Sequence, residues 1–190
     1  MKAKRLPAAL PPGQRLVSRM PLRHVGEPPP FDGRSWSLAL MGEVARPAVF
    51  SLEDLQRMST VELEADFHAG AGWSVARVRW RGVRLADLLV RAGPLEEARF
   101  VRFSDGMKYD TTLALADALA ADNLLATGFG DAPLEATRGG PLRLVVPAKY
   151  GRKSLKWLRS IELMREDRPG FWERRGFHAG ADPWKAERLA

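Results

Sequence analysis

The chain contains no cysteine, and this absence excludes several kinds of chemistry at once. Without a thiol there is no disulfide, no thiolate ligand for a metal ion and no cysteine nucleophile. Histidine is also scarce, because the three residues of this type, His24, His68 and His178, lie far apart in sequence. Their spacing does not match a zinc-binding motif. The sequence therefore predicts no metal-ligating residues.

The chain also lacks a run of about 18 apolar residues, the length that a helix needs to cross a bilayer. Its basic start is similar to that of a signal peptide, but Pro7, Pro11 and Pro12 interrupt any apolar segment. A charge then returns at Arg15, where a signal peptide would still be apolar. We therefore expect a cytoplasmic protein that makes no contact with a membrane.

Positive charge is in excess, since 30 lysine and arginine residues face 23 aspartate and glutamate residues, for a net charge of +7. Most of these cations are interleaved with acidic residues, which argues against nucleic acid as a partner. A basic pocket for a small anionic ligand or cofactor would explain the local clustering better, although a solvated basic face would give the same pattern. The cluster consists of Lys149, Arg152, Lys153, Lys156 and Arg159.

A length of 190 residues suits one domain with a single sizeable core. Residues 1–30 are rich in proline and arginine and show no helical or strand periodicity, which predicts a basic arm along the surface. Within this arm, Lys2 to Arg5 are expected to form a disordered, solvated tail. Residues 31–190 are expected to form the folded domain.

Hydrophobic periodicity predicts a β-rich α+β domain with a mixed sheet and short helices between the strands. A helix over 51–58 would be capped by Ser51, with Asp54 three residues later, and a helix over 85–92 would end at Gly93. A third helix is predicted over 113–121, and a loop of small residues over 68–74. Strands are predicted over 36–42, 61–67, 100–103, 142–147 and 157–164, with an extended piece at 49–50. The six tryptophans are expected to pack in the core or between elements.

Several short motifs follow one another in a fixed order. They are Gly42-Glu43-Val44, Gly72-Trp73-Ser74, Trp80-Arg81-Gly82-Val83, Gly140-Pro141-Leu142-Arg143, the basic segment 149–157, Gly170-Phe171-Trp172-Glu173 and Ala181-Asp182-Pro183-Trp184. The series resembles the oxidoreductase molybdopterin-binding domain of sulfite oxidases, plant-type nitrate reductases and the catalytic subunit of protein-methionine-sulfoxide reductase. It is most similar to the short, cytoplasmic, sulfite-oxidase-like bacterial proteins that consist of this domain alone.

The resemblance implies a molybdopterin cofactor, whose terminal phosphate and polar pterin require positive charge and backbone donors. It implies that Arg143 contacts the pterin or the phosphate and that Ser154, Leu155 and Lys156 form a turn that holds the cofactor. Ser104 corresponds to a position on the pterin side, and His24 lies near a position where relatives place asparagine or histidine. An alternative for Arg143 is a simple ion pair with a carboxylate.

The chain departs from the pattern of the family at three positions. Relatives carry the molybdenum-ligating cysteine directly after a histidine, and here Ala69 follows His68. A methyl group cannot replace a soft sulfur ligand. Thr127 stands where sulfite oxidases carry a tyrosine, and Arg138 stands where relatives carry histidine or asparagine. His68 is expected to be a hydrogen-bonded polar residue beside the loop, with a role in the cofactor site left open, and Ala69 is a candidate for the wall of that site. Arg138 is a candidate for binding a phosphate or another anion, or for filling the vacated space, and the catalytic residues are unknown.

Three hypotheses remain open. The first, which we prefer, is a protein that binds molybdopterin without the redox chemistry of a cysteine-ligated metal. The second is an active molybdenum oxidoreductase whose metal takes an oxygen or solvent ligand. The third is a non-enzymatic anion-binding or scaffold protein on the same fold. The dimerising domain of sulfite oxidases is missing from the sequence, so we expect a monomer.

Overall fold

The computed structural model describes residues 9–32 and 34–190. Within them, strands form two mixed sheets that are connected by short helices. The strands are β1 (Arg15–Leu16), β2 (Ser37–Gly42), β3 (Ala48–Ser51), β4 (Val61–Ala69), β5 (Trp73–Arg84), β6 (Phe100–Ser104), β7 (Asp110–Ala114), β8 (Leu124–Phe129), β9 (Ala132–Pro133), β10 (Arg143–Val145) and β11 (Ser160–Met164). The helices are α1 (Leu52–Gln56), α2 (Leu85–Ala92) and α3 (Leu115–Ala118). The expected α+β class is confirmed.

The first sheet is built around the long strand β5, which pairs with β1, β4 and β8. Its partner β4 forms a hairpin with it, and β8 continues the sheet to β10 and to the short β9. Only the pairing of β1 with β5 is parallel among the pairs described in this sheet. The sheet therefore places the end of β4 close to the N-terminal segment.

The second sheet has the strand order β3, β2, β11, β6 and β7. Strands β2 and β11 are parallel, and the other neighbours are antiparallel. The larger core lies against this sheet, where the buried α2 leucines Leu85, Leu88 and Leu89 belong to one cluster with Phe103 and Ile161. Each large apolar side chain buried in this way stabilises the fold by about 1.5–3 kcal/mol.

A smaller, aromatic cluster lies in the first sheet and includes Phe67, Trp73 and Trp80. Burial of Trp36, Trp73, Trp80 and Trp157 confirms that these four tryptophans pack in the interior. Trp184 is an exception, because 54% of its surface is exposed. The aromatic cluster matters for the site because two of its rings lie beneath a buried arginine, described below.

Two predicted helices are confirmed together with their ends. The Ser51 hydroxyl accepts a hydrogen bond from the backbone N–H of Asp54, and the Asp54 carboxylate accepts one from the backbone N–H of Ser51. This reciprocal pair satisfies two donors at the start of α1. Helix α2 ends at Gly93, whose φ of 68° is a left-handed conformation that glycine adopts without strain.

Two predictions of local structure are wrong. The predicted loop over 68–74 is shorter in the structure and covers residues 70–72, because His68 and Ala69 pair with Ser74 and Trp73 at the end of the β4–β5 hairpin. The predicted helix over 113–121 begins two residues later, because strand β7 extends through Ala114 and pairs with β6. In both cases pairing with a neighbouring strand overrides the local preference of the sequence.

Part of the predicted N-terminal arm is integrated into the domain. Arg15–Leu16 pair with β5, and residues 20–25 lie at the cavity described below. The expected disordered tail at Lys2 to Arg5 lies outside the described residues. No helix in residues 9–32 and 34–190 is both long enough and apolar enough to cross a membrane.

Candidate functional site

A cavity of about 470 Å³, here called the main cavity, opens where several parts of the chain meet. One wall is formed by residues 20–25, and a second by the end of β4 and the turn after it. Residues 151–157, except Lys153, form a third wall, and aromatic side chains of the C-terminal tail close one side. The cavity therefore joins segments that are distant in sequence.

The charged residues of this lining are all positive. Among the described residues that line the main cavity there is no aspartate and no glutamate. A site with several cations and no carboxylate attracts anions, because the mutual repulsion of the cations is relieved only by a negative ligand or by counterions. The basic lining residues are Arg23, Arg138, Arg143, Arg152 and Lys156, together with His24.

Arg143, on β10, is the most deeply buried of these cations, with 2% of its surface exposed. Its two terminal nitrogens donate hydrogen bonds to the carbonyl oxygens of Arg138 and Ser154, at 2.8 and 2.9 Å. Its guanidinium carbon lies 4.9 Å from the ring centroid of Trp80 and 5.8 Å from that of Phe67. Burial and the positive charge of Arg138 lower the pKa of Arg143 to about 9. The expected alternative, an ion pair between Arg143 and a carboxylate, is not formed within the described part of the chain, where the partners of its guanidinium are backbone carbonyls.

Residues 154–156 form the turn that the resemblance assigns to the cofactor. The Ser154 hydroxyl accepts a hydrogen bond from the backbone N–H of Val146 at 3.0 Å, which ties the turn to the end of β10. The backbone N–H of Leu144 donates to the carbonyl oxygen of Leu155 at 2.8 Å. These two hydrogen bonds fix the position of residues 154–156 relative to β10.

Lys156 is half-buried at the end of this turn, and its ammonium donates to the carbonyl oxygen of Thr137 at 2.7 Å. Burial and the charges of Arg143 and Arg138 lower its pKa to about 8. Gly139 is needed beside it, since its φ is +107° and a Cβ there would lie 2.8 Å from the Lys156 Cβ. The backbone at Gly139 thus approaches Lys156 more closely than any residue with a side chain would allow.

Arg138 has a donor without an acceptor. Its Nη1 is buried and makes no hydrogen bond within residues 9–32 and 34–190. Its guanidinium carbon lies 4.3 Å from the ring centroid of Phe129, so the side chain is held in place by a cation–π contact. Buried donors in proteins are normally hydrogen-bonded, and an anion in the main cavity would supply an acceptor for this one.

Ala69 lies at the last position of β4, and its small side chain belongs to the cavity wall. Its carbonyl oxygen accepts hydrogen bonds from the Gln14 side chain and from the backbone N–H of Gly72, both at 3.0 Å. The backbone at this position is therefore well fixed. No group of three or more His, Cys, Asp or Glu residues that could hold a metal ion occurs among the described residues.

The structure brings seven of the nine candidate site residues to the main cavity and leaves two outside it. His68 points away because neighbouring residues of a strand face opposite sides, and Ala69 faces the cavity. The His68 Nδ1 lies 2.8 Å from the Ser74 hydroxyl, and burial lowers the pKa of His68. Ser104 ends β6, where its hydroxyl accepts from the backbone N–H of Gly106. The seven lining residues are His24, Ala69, Arg138, Arg143, Ser154, Leu155 and Lys156.

Other residues that line the main cavity were not among the candidates, and they include two arginines and several aromatic residues. Arg152 belongs to the basic cluster that predicts an anion pocket, and Arg23 directly precedes the candidate His24. The aromatic residues Tyr109, Trp172 and Phe177 also line the cavity. Trp172 belongs to a motif of the resemblance, but only the folded chain shows that this residue and Phe177 of the C-terminal tail lie at the cavity.

Comparison with known proteins gives the family. The model of the oxidoreductase molybdopterin binding domain matches residues 24–172, which is more than half of the chain. The chain belongs to this family. It is 39% identical over 181 residues to the uncharacterized oxidoreductase YuiH of Bacillus subtilis, covering 95% of this chain and 91% of that protein.

Two longer proteins are also similar. The protein-methionine-sulfoxide reductase catalytic subunit MsrP of Campylobacter jejuni is 31% identical over 175 residues, covering 80% of this chain and 59% of that protein. The sulfane dehydrogenase SoxCD of Paracoccus pantotrophus shares the fold, with a TM-score of 0.69 and 22% identity over 81% of this chain. The chain spans 43% of the SoxCD chain, so less than two thirds of either longer protein is represented here.

Family membership supports molybdopterin as the cofactor, and the main cavity offers donors that suit it. Fixed cations match a phosphate, and an aromatic and aliphatic lining suits a flat heterocycle. The unpaired Nη1 of Arg138 is one donor still available to a ligand. The residues present do not offer a side-chain ligand for the metal. Ala69 has no ligand atom, and the described residues contain no other cluster of His, Cys, Asp or Glu that could hold a metal ion.

Proposed function

We propose that this chain is an oxidoreductase-like protein that binds molybdopterin in the main cavity but lacks the family's thiolate-ligated metal. The observation that carries the proposal is the cation cluster of Arg138, Arg143 and Lys156, which faces a cavity whose described lining contains no carboxylate. The absence of a ligand atom at Ala69 supports the second half of the proposal.

Burial of the cluster is the first argument for an anionic ligand. Removing Arg143 from water without a counterion is costly, and its two carbonyl partners compensate only part of the lost hydration. Burial and neighbouring positive charges lower the pKa of both Arg143 and Lys156, because this environment disfavours their charged forms. A phosphate between them would convert repulsion among cations into charge-assisted hydrogen bonds.

Each wall of the cavity has a separate role in this proposal. Arg143 and Lys156 hold the terminal phosphate, and the fixed turn at residues 154–156 supplies backbone groups. Trp157 forms an apolar wall beside His24, since their ring centroids lie 5.6 Å apart in an edge-on arrangement. Bound molybdopterin would supply the two sulfur ligands of a molybdenum ion, and in this chain no side chain at position 69 would complete that set.

The experiment that tests the proposal measures molybdenum and pterin together. The protein is produced in a host that makes the cofactor, purified and denatured, and both contents are expressed per chain. We expect close to one pterin per chain and much less than one molybdenum. Stoichiometric metal would instead support an active oxidoreductase with a non-thiolate ligand, and the absence of both would leave a non-enzymatic anion-binding protein.

A matched pair of variants ties the result to the cavity. The double variant Arg143→Met and Lys156→Met should lose bound pterin. Arg159→Met and Lys149→Met form the control, because both residues belong to the same basic cluster and neither lines the main cavity. Equal loss of pterin in the two double variants would contradict the assignment of the phosphate to Arg143 and Lys156.

A further inference from the structure

The Lys156 side chain lies beside two guanidinium groups and has no carboxylate partner within the described ranges. It begins next to Gly139, where a Cβ would lie 2.8 Å from the Lys156 Cβ, and its Nζ lies 2.7 Å from the carbonyl oxygen of Thr137. The side chain therefore runs past the backbone of Arg138. Arg143 donates to the carbonyl oxygen of Arg138 at 2.8 Å, so the ammonium and this guanidinium bind neighbouring carbonyls.

The other lysines in the described part of the chain have different surroundings. Lys149, Lys153 and Lys185 each have an ammonium 2.6–3.8 Å from a carboxylate oxygen, which stabilises the charged form. Lys108 is exposed to solvent and lies outside the main cavity. Lys156 alone among these five combines partial burial with cationic neighbours.

This environment makes the Lys156 amine more reactive than that of an ordinary lysine. Burial, and then the charges of Arg143 and Arg138, lower the pKa of Lys156 to about 8, whereas a lysine in water titrates near about 10.4. The neutral amine is the nucleophilic form, and desolvation next to other cations activates it. Because Lys156 lines the main cavity, a small electrophile from solvent can reach it.

The surroundings of Lys156 favour a product that carries negative charge. The described lining of the main cavity contains cations but no aspartate or glutamate, and the buried Nη1 of Arg138 makes no hydrogen bond within this part of the chain. A carboxylate attached to Nζ of Lys156 would replace repulsion from Arg138 and Arg143 by attraction. It would also give the Arg138 Nη1 an acceptor in a charge-assisted hydrogen bond.

We propose that Lys156 of the cofactor-free protein is a modification site, at which carbon dioxide forms a lysine carbamate that binds Arg138 and Arg143. The neutral Nζ attacks the carbon of carbon dioxide, an N–C bond forms, and one C=O electron pair moves onto oxygen. One N–H proton passes to solvent, so the product carries a single negative charge and no oxidant or reductant is consumed. The carbamate nitrogen retains one N–H, which can keep the hydrogen bond to Thr137.

Bicarbonate labelled with carbon-13 is the probe for a direct test. Protein from a host unable to make pterin is equilibrated with it in phosphate-free buffer at pH 8, close to the pKa of Lys156, and the carbamate carbon is followed by NMR. Alkylation with a trialkyloxonium salt then converts the carbamate to a stable ester that peptide mass spectrometry locates. We expect a saturable signal and an ester at Lys156. An ester only at the amino-terminal amine, which titrates in the same pH range, would overturn the inference, as would no ester at all.

Matched variants assign the carbamate and its partners. Lys156→Arg should abolish the signal, because arginine keeps the charge but forms no carbamate, whereas Lys108→Arg should leave it unchanged. Arg138→Met should weaken carbamate formation by about tenfold or more, through loss of a charge-assisted hydrogen bond. Arg175→Met is its control, since Arg175 also stacks on an aromatic ring, that of Phe171, but does not line the main cavity. Equal weakening in the last two variants would contradict the role of Arg138. The ester at Lys156 in the wild-type protein is decisive even if a variant fails to fold.

This inference does not require the proposed function, because it concerns the chain before a cofactor binds. A carbamate at Lys156 in protein that contains no pterin from any host would leave the modification standing and reject the proposed function. Pterin bound by the chain, with no carbamate in the cofactor-free protein, would do the reverse.

Discussion

The guanidinium of Arg143 donates a hydrogen bond of 2.9 Å to the carbonyl oxygen of Ser154, which joins β10 to the turn at residues 154–156. Its other terminal nitrogen donates to the carbonyl oxygen of Arg138 at 2.8 Å. One buried side chain therefore connects the two segments that carry Arg138 and Lys156. The cation that would bind a phosphate also positions its two cationic neighbours.

Replacement of Arg143 by lysine should lower the pterin content about tenfold, although the charge is retained. Lysine has a single ammonium and cannot reach both carbonyl oxygens with the planar geometry of a guanidinium. The loss of one charge-assisted hydrogen bond in a buried site costs about 1.5–3 kcal/mol, which corresponds to a factor of about ten or more in affinity. Pterin released on denaturation, per chain, is the measurement.

Arg159→Lys is the control for this substitution. Arg159 also lies over an indole ring, with its Cζ 5.6 Å from the centroid of Trp36, but it does not line the main cavity. Its replacement should leave pterin content unchanged. A similar loss in both variants would show that pterin content follows general stability rather than the Arg143 contacts.

Ala69→Cys should increase the molybdenum that is retained per chain. The new thiolate would lie on the cavity wall, on a backbone position that Gln14 and Gly72 already fix. A soft sulfur ligand raises the affinity for the metal and is the element missing from this chain. Metal analysis of the purified variant from a cofactor-making host, compared with wild type, measures the effect.

The neighbouring Ala71→Cys provides the matched control, because Ala71 also lines the main cavity but lies in the turn after β4. A thiol there should add no metal. If neither cysteine raises the metal content while pterin is present, the cavity does not place the cofactor's metal next to Ala69.

Much of the fold could be predicted because its signals are local. The capping pair Ser51 and Asp54 and the terminal Gly93 each act within one turn of a helix, and both helix ends are found where expected. The boundaries of β4 and β7 could not be predicted in this way. Their last residues are held by cross-strand partners, as Ala69 is by Trp73, and such pairing depends on the whole sheet.

The candidate site was predictable where the motif is contiguous. Ser154, Leu155 and Lys156 lie together at the cavity because they form one turn. The direction of His68 was missed, since extension of β4 through that residue decides which side it faces. The Arg152 side chain is positioned by hydrogen bonds to the backbone carbonyls of His178 and Glu187 in the C-terminal tail. No local sequence pattern predicts such long-range contacts.

Lys156 predicts a particular pH dependence for the stability of the cofactor-free protein. Its pKa is lowered to about 8 in the folded state, by burial first and then by Arg143 and Arg138, whereas a lysine in an unfolded chain titrates near about 10.4. Between these values the unfolded state binds more protons, so the free energy of unfolding should rise with pH. Urea denaturation at pH 7.5 and pH 9.5 measures the change.

Lys156→Met isolates this contribution, because methionine has no titratable group. The stability of wild type relative to this variant should increase between pH 7.5 and pH 9.5. Lys185→Met is the control, as the Lys185 side chain is 71% exposed and lies outside the cavity. If the difference in the free energy of unfolding between wild type and Lys156→Met were the same at both pH values, the pKa of Lys156 would not be lowered in the folded state.

The buried ion pair of Lys153 and Glu173 should be essential for the attachment of the C-terminal tail. The ammonium lies 2.6 Å from the carboxylate, with side-chain exposures of 1% and 8%, and it also donates to the carbonyl oxygen of Thr112 at 2.8 Å. Lys153→Met leaves the Glu173 carboxylate buried without its partner. We expect a loss of about 3–5 kcal/mol in the free energy of unfolding.

The double variant Lys153→Met and Glu173→Gln should recover a large part of this loss, because a neutral amide costs less to bury than an isolated carboxylate. Arg57→Met, which removes the partner of the exposed Glu53, should change stability by only about 0.5 kcal/mol. Urea denaturation of wild type, Lys153→Met, Glu173→Gln and the double variant measures the coupling between Lys153 and Glu173. If Lys153→Met cost no more than Arg57→Met, the pair would not be holding the tail, and the fixed position of Arg152 would need another cause.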